Sequence, residues 1–223
     1  MISKLIISEE EYISKLKKLS TTLLWDRSYG NAVVIKDPPR NFSNVEKIAG
    51  PVFLVNTPGT ILPVLEALHV IPENHVLVIN NTVKSVEALL GDIIVESAKL
   101  QNLAGIVVFG NIRDVEVIAN LDFPVWAFGV SVKAAPLGSP VCAFPQETYL
   151  GECLVRKGDW LLADKNGMIS IQAEKLRLII KSAEVKNRKE NECIQRIRSG
   201  ERITSQMNLE SFLYADGKLI VEF

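Results

Sequence analysis

Apolar positions along the chain follow two different periods. Residues 8–19, SEEEYISKLKKL, repeat at helical spacing, with Ser8 placed as an N-cap and glutamates in the first turn. AVVI, closed off by a Pro-Pro turn, and GPVFLVNTPG, ending in a Pro-Gly turn, are short continuous apolar runs of the kind buried strands leave. TILPVLEALHV returns to helical spacing with Pro63 tolerated in a first turn.

Regular alternation then sets in. HVLVIN predicts a strand, VEALLGDIIVESAKLQNLAG contains a helix expected to end at Leu103, and IVVFG predicts the next strand. VEVIANLD is a short helix and PVWAFG a further strand. Buried strands alternating with helices indicate right-handed crossovers and a largely parallel sheet, an α/β architecture.

After about residue 130 the pattern shortens. SPVCAF, YLGECLVRKGDWLLAD and GMISIQ predict short strands, antiparallel because Gly, Pro and Asp turns such as ADKNGM separate them. Residues 172–199 form a long charged helix stopped by Gly200, and the tail 201–223 is an appendage with a hairpin expected around YADGKLIVEF.

Composition narrows the function. At 223 residues and 48% hydrophobic the chain can bury one sizeable core, and one domain over 1–223 is expected. With 25 basic and 26 acidic residues, the net charge of −1 gives no basis for broad nucleic-acid binding. Cys142, Cys153 and Cys193 make neither a metal-type pair nor a disulfide framework. No apolar run is long enough for a membrane span, and the charged N-terminus is unlike a signal peptide, so a cytoplasmic protein is expected. Only His69 and His75 are available for histidine chemistry, and His69 falls in a helix-to-strand connection where solvation is the ordinary outcome.

One segment carries candidate chemistry: GDIIVESAKLQNLAGIVVFGNIRD, residues 91–114. A helix starting near Asp92 runs about 17 Å down the sheet, and the following strand returns about as far. Arg113 and Asp114 therefore arrive beside Asp92, at the carboxyl ends of the parallel strands where open α/β sheets place ligands. The helix start offers unpaired N–H groups to an anion, the arginine can grip an oxygen pair, and the two aspartates can hold a hard divalent cation. The alternative is that Asp92 merely caps its helix and Arg113–Asp114 merely cap the next one.

The chain resembles the RraA-like family, which includes divalent-metal-dependent 4-hydroxy-4-methyl-2-oxoglutarate aldolases. The resemblance rests on an Asp, twenty intervening residues and Arg-Asp, met here by Asp92, residues 93–112 and Arg113–Asp114. It rests also on ALLGD, LAGIVVFGNIRD, FPVWAFGVS and KGDWLLADKNGMISI in that order, and it is strongest over residues 40–200. It implies a swivelling-domain-type α/β sandwich assembled as a homotrimer or trimer-based oligomer. By the same resemblance, Asp114 would bind Mg²⁺ or Mn²⁺ directly and Asp92 through water. Arg113 would contact the carbonyl oxygen of a 2-oxo acid, and the Gly91–Ile93–Ile94 backbone would hold its carboxylate.

The reaction implied is retro-aldol cleavage, or decarboxylation of oxaloacetate, through a pyruvate enolate. Glu190 or Glu192 of a neighbouring subunit could complete the site. Phe109 stands where the family commonly has Asp, which is expected to remove a polar group at the site mouth. Some family members instead bind and mask a ribonuclease without catalysis, so a non-catalytic regulator is the alternative reading.

Overall fold

The computed structural model describes residues 8–140, 144–215 and 217–220. In chain order the elements are α1 (Glu9–Leu16), α2 (Thr21–Asp26), β1 (Ala32–Val34), β2 (Arg40–Asn41), β3 (Ile48–Thr57), α3 (Leu62–Val70), β4 (Val76–Asn81), α4 (Asp92–Leu100) and β5 (Gly105–Ile112). They continue with α5 (Val115–Ile118), β6 (Val125–Val130), β7 (Glu147–Leu150), β8 (Cys153–Arg156), β9 (Trp160–Asp164), β10 (Gly167–Ile171), α6 (Ala173–Arg198), α7 (Ile203–Gln206) and α8 (Leu209–Tyr214).

Eight strands form one mixed sheet in the order β1-β10-β9-β3-β4-β5-β6-β2, while β7 and β8 pair apart from it. The middle of the sheet, β3 to β6, is parallel, and its flanks are antiparallel. The parallel strands are continuous apolar runs because both faces are covered. One face packs Val55, Leu77, Ile79, Ile106 and Val108 under α3, α4 and α5. The other packs Val52, Val78, Val107, Phe109 and Trp126 against Leu150, Cys153 and Val155 of the β7–β8 hairpin.

β3 serves both halves of the sheet. Its first residues, Ile48–Pro51, pair antiparallel with β9, and Val52–Thr57 pair parallel with β4. A third apolar cluster joins α1, α2 and α6 to β9 and β10. In α6 the buried Leu176, Ile179, Ile180 and Ala183 recur at one helical face. Asp164, 6% exposed, accepts from the Thr21 N–H at 2.8 Å and the Thr21 hydroxyl at 2.7 Å, tying the start of α2 to the β9–β10 turn.

One expectation needs amendment. α4 stops at Leu100 rather than Leu103, because Asn102 takes up a left-handed conformation that ends the helix. The hairpin expected around 214–223 includes Asp216 and residues 221–223, which lie outside the described residues; helix α8 ends at its first residue, Tyr214, closed by a bond from the Gly217 N–H to the Ser211 carbonyl. Leu209, Phe212 and Leu213 have the helical spacing that α8 follows. Within SPVCAF, residues 141–143, Cys142 included, also lie outside the described residues. Among the described residues no helix is long and apolar enough to cross a membrane.

Candidate functional site at the carboxyl edge of the sheet

The segment before α4 is stitched to its surroundings by backbone bonds. The Ala88 N–H donates to the Lys133 carbonyl at 2.7 Å, and the Leu89 N–H donates to the Asn111 carbonyl at 2.9 Å. The Arg113 N–H donates to the Leu90 carbonyl at 2.9 Å. Residues 88–90 thus lie alongside the end of β5, and Gly91–Asp92 are delivered next to Arg113–Asp114. A 2.7 Å ion pair between Lys133 and Glu87 pins the same segment, and its hydrogen bond holds the Glu87 carboxyl below its usual range.

The sequence placed these three charged residues at one edge, and the structure brings them together there. Arg113 Nε lies 3.0 Å from Asp114 Oδ2. That contact uses one of the five guanidinium N–H groups, and no described residue takes the others. Asp114 precedes α5 in the left-handed region, at φ 57° and ψ 36°, and its side chain makes no capping bond. A non-glycine residue held in that conformation is uncommon, and such strain concentrates at functional sites. Its carboxylate is turned to the arginine and away from the helix it precedes, so the capping explanation fails for Asp114.

Capping also fails as an account of Asp92, because Gly91 occupies the N-cap of α4. Asp92 sits one residue inside, with Oδ1 accepting from the Ile93 N–H at 2.7 Å. The Ile93 N–H expected to hold a substrate carboxylate is therefore already occupied by Asp92. The Asp92 and Ile94 N–H groups have no partner among the described residues and remain available at the helix start.

Gly91 is needed for space. A Cβ there would stand 2.6 Å from Asp114 Oδ2, closer than side chains approach. Around these groups lies a cavity of about 230 Å³ with an apolar wall of Ile61, Leu90, Ile94, Ala134 and Ala135. Of these, Ile61, Ala134 and Ala135 went unnoticed in the sequence, since isolated alanines and isoleucines carry no chemical signal. Ile93 stands at the rim, 81% exposed.

Other candidates lie elsewhere. Phe109 does not reach the site mouth: it is buried on the opposite face of the sheet and meets Phe128 edge-on at 5.3 Å. His69 lies in the last turn of α3 and His75 precedes β4, both at the amino edge of the parallel strands. In α6, Glu190 lies 3.5 Å from Lys186 and Glu192 is exposed; neither lines the cavity of its own chain. Among the described residues no three His, Cys, Asp or Glu side chains gather at one point. A cation here would have two carboxylates, with water and ligand oxygens for the rest. That donor set is the kind Mg²⁺ and Mn²⁺ accept, and Asp92 Oδ2 and Asp114 Oδ1 have no described partner.

Comparison with known proteins establishes the family. Residues 21–170 match the RraA-like family, described as aldolase/RraA. The chain belongs to that family. An uncharacterized protein of Methanocaldococcus jannaschii is 33% identical over 125 residues, covering 55% of this chain and 59% of that protein. A protein of Alkalilimnicola ehrlichii named "Putative 4-hydroxy-4-methyl-2-oxoglutarate aldolase" is 32% identical over 153 residues, covering 67% of this chain and 92% of its own. Among solved structures, Streptomyces coelicolor RraAS2, described as an unusual member of the RNase ES inhibitor RraA family, superposes with a TM-score of 0.71. That likeness covers 84% of this chain and 98% of RraAS2 at 23% identity, and it shows the RraA fold.

Proposed function

We propose that this RraA-like protein is a cytoplasmic, divalent-metal-dependent lyase that cleaves a 4-hydroxy-2-oxo acid by a retro-aldol step and decarboxylates oxaloacetate. The observation that carries the reading is the placement of Asp92 and Asp114. Two aspartates at helix starts, neither of them the side-chain cap of its helix, converge with an arginine beside free N–H groups. The aldolase name of the Alkalilimnicola ehrlichii relative points the same way.

In this reading the substrate's 2-oxo acid end enters the cavity with its carboxylate on the Asp92 and Ile94 N–H groups. The free guanidinium N–H groups of Arg113 donate to the 2-oxo oxygen, where negative charge grows as the carbon–carbon bond breaks. Asp114 fixes the guanidinium through Nε, so the donors are aimed before charge develops. Mg²⁺ or Mn²⁺, held by Asp114 and through water by Asp92, would add Lewis-acid stabilisation of the same oxygen. Asp92 orients a water that takes the proton from the 4-hydroxyl and returns one to the enolate carbon. The apolar wall of Ile61, Ala134 and Ala135 keeps bulk water from the enolate. The reading includes trimer-based assembly, with Glu190 or Glu192 of a neighbouring copy as a further carboxylate at the cavity.

The test is turnover of oxaloacetate and of 4-hydroxy-4-methyl-2-oxoglutarate with Mg²⁺, with Mn²⁺ and with a chelator, for the wild type and Asp114→Asn. Asparagine tolerates the left-handed conformation, so the variant removes charge with little disturbance of the backbone. Metal-dependent turnover that falls about a hundredfold or more in the variant supports the lyase. A well-folded wild type without turnover on either acid sinks it and turns attention to ribonuclease binding.

A further inference from the structure

A second cavity, of about 400 Å³, opens at the ends of β4, β5 and β6 and shares no lining residue with the first. We propose that it is a binding site for an aromatic carboxylate carrying an amine. This assignment is independent of the lyase reading.

The inference starts from three amides. Asn80 Nδ2 donates to the Tyr149 carbonyl at 3.4 Å, as well as to Asn56 Oδ1 and Thr148 Oγ1, both at 3.1 Å. Asn81 Nδ2 donates to the Ser85 carbonyl at 3.2 Å, and Asn111 Nδ2 to the Val86 carbonyl at 3.0 Å. Main-chain carbonyls only accept, so each amide's nitrogen end is fixed and its oxygen is left over. Among the described residues none of the three amide oxygens has a donor; Asn81 Oδ1 is fully buried, out of a ligand's reach, which leaves the oxygens of Asn80 and Asn111. Shielding an acceptor from water without a donor is costly, so two free acceptors on the cavity wall select a ligand with N–H groups to give.

The rest of the cavity supplies the other two elements. Phe109 and Phe128, edge to face, form an aromatic floor, and Phe128 is half exposed. Flat rings gain most from such a surface. Lys84 stands in the wall, held at φ 50°, with no ion-pair partner among the described residues, and provides the cavity's one cation. Two acceptors, one cation and an aromatic floor together describe a planar amine-bearing monoanion. This use gives Phe109 a role on the face opposite the candidate active site, where the aspartate common at this position would offer charge in place of a ring.

The experiment is ligand-observed NMR and calorimetry on the full chain with 4-aminobenzoate and the two-ring 6-amino-2-naphthoate. Benzoate, which lacks the donor, and cyclohexanecarboxylate, which lacks the flat ring, serve as matched controls. Saturable binding of an amine-bearing acid is expected, weaker by about tenfold for each control and in each of Phe128→Ala and Lys84→Gln. Binding should be unchanged in Arg113→Ala, which alters only the other cavity. Phe128 and Lys84 are surface positions, and melting temperature checks that both variants fold. Equal affinity for the amine-bearing acids and their controls, loss of binding in Arg113→Ala, or no binding by the folded protein each overturns the assignment.

Discussion

Gly91→Ala isolates the geometry of the site from the stability of the fold. Gly91 has φ −137° and ψ −177°, a region open to alanine, so the exchange brings no backbone strain. The new Cβ would stand 2.6 Å from Asp114 Oδ2, with Arg113 Cγ at 3.4 Å and Nε at 3.5 Å. The arginine can stay, while the carboxylate must withdraw by roughly an ångström to reach ordinary contact. Asp114's side chain is 31% exposed and free to rotate, so stability should change by no more than about 1 kcal/mol, helped by reduced freedom of the unfolded chain. The 3.0 Å contact with Arg113 Nε breaks, and the guanidinium loses its anchor. A displacement of that size at reacting groups costs about a hundredfold in rate, or ~2.7 kcal/mol of barrier. The assay is kcat/KM for oxaloacetate across a Mn²⁺ titration, with thermal melting alongside. We expect a near-native melting temperature, a large loss of kcat/KM and a weaker apparent metal affinity. An alanine variant within threefold of the wild type would refute the idea that the Asp92–Arg113–Asp114 placement sets the rate.

Two further predictions concern strained and buried aspartates. At Asp114 the left-handed backbone should make Asp114→Gly more stable than Asp114→Ala by about 1 kcal/mol in denaturant unfolding, with both inactive; an alanine variant as stable as glycine would show that the strain is absent. At Asp164, burial opposes ionisation, but hydrogen bonds from Thr21 and Asn166 outweigh it and hold the carboxyl below its ordinary 3.8. A depressed folded value means that the ionised group's contribution is present above pH ~4 and is lost as pH falls through that lower value. Asp164→Ala should therefore cost ~3 kcal/mol at pH 7, with the gap to the wild type narrowing below pH ~4; a gap independent of pH would show that Asp164 is protonated in the native state.

How far the sequence could be read depended on which interactions were local. The parallel centre of the sheet was legible because buried strands and amphipathic helices leave distinct periods in the chain, and the antiparallel β9–β10 turn was legible from ADKNGM. The same reasoning brought Asp92 to Arg113 and Asp114, since a helix and a strand of matched length must return the chain to one edge. It could not see that Gly91 takes the cap position and frees Asp114 to face Arg113, because that depends on φ and on close packing between segments twenty residues apart. Nor could it see which face Phe109 would take. Alternation along β5 sends Val108 under α4 and Phe109 to the hairpin side, and a register shift between Val108 and Asn111 then resets the strand before Arg113. Phe109 and Asn111, two residues apart, line the second cavity, while Arg113 and Asp114, past the end of β5, line the first. One strand and the turn that follows it serve two chemically different sites because the left-handed backbone at Asp114 redirects the chain past Ile112, and side-chain period alone could not have revealed it.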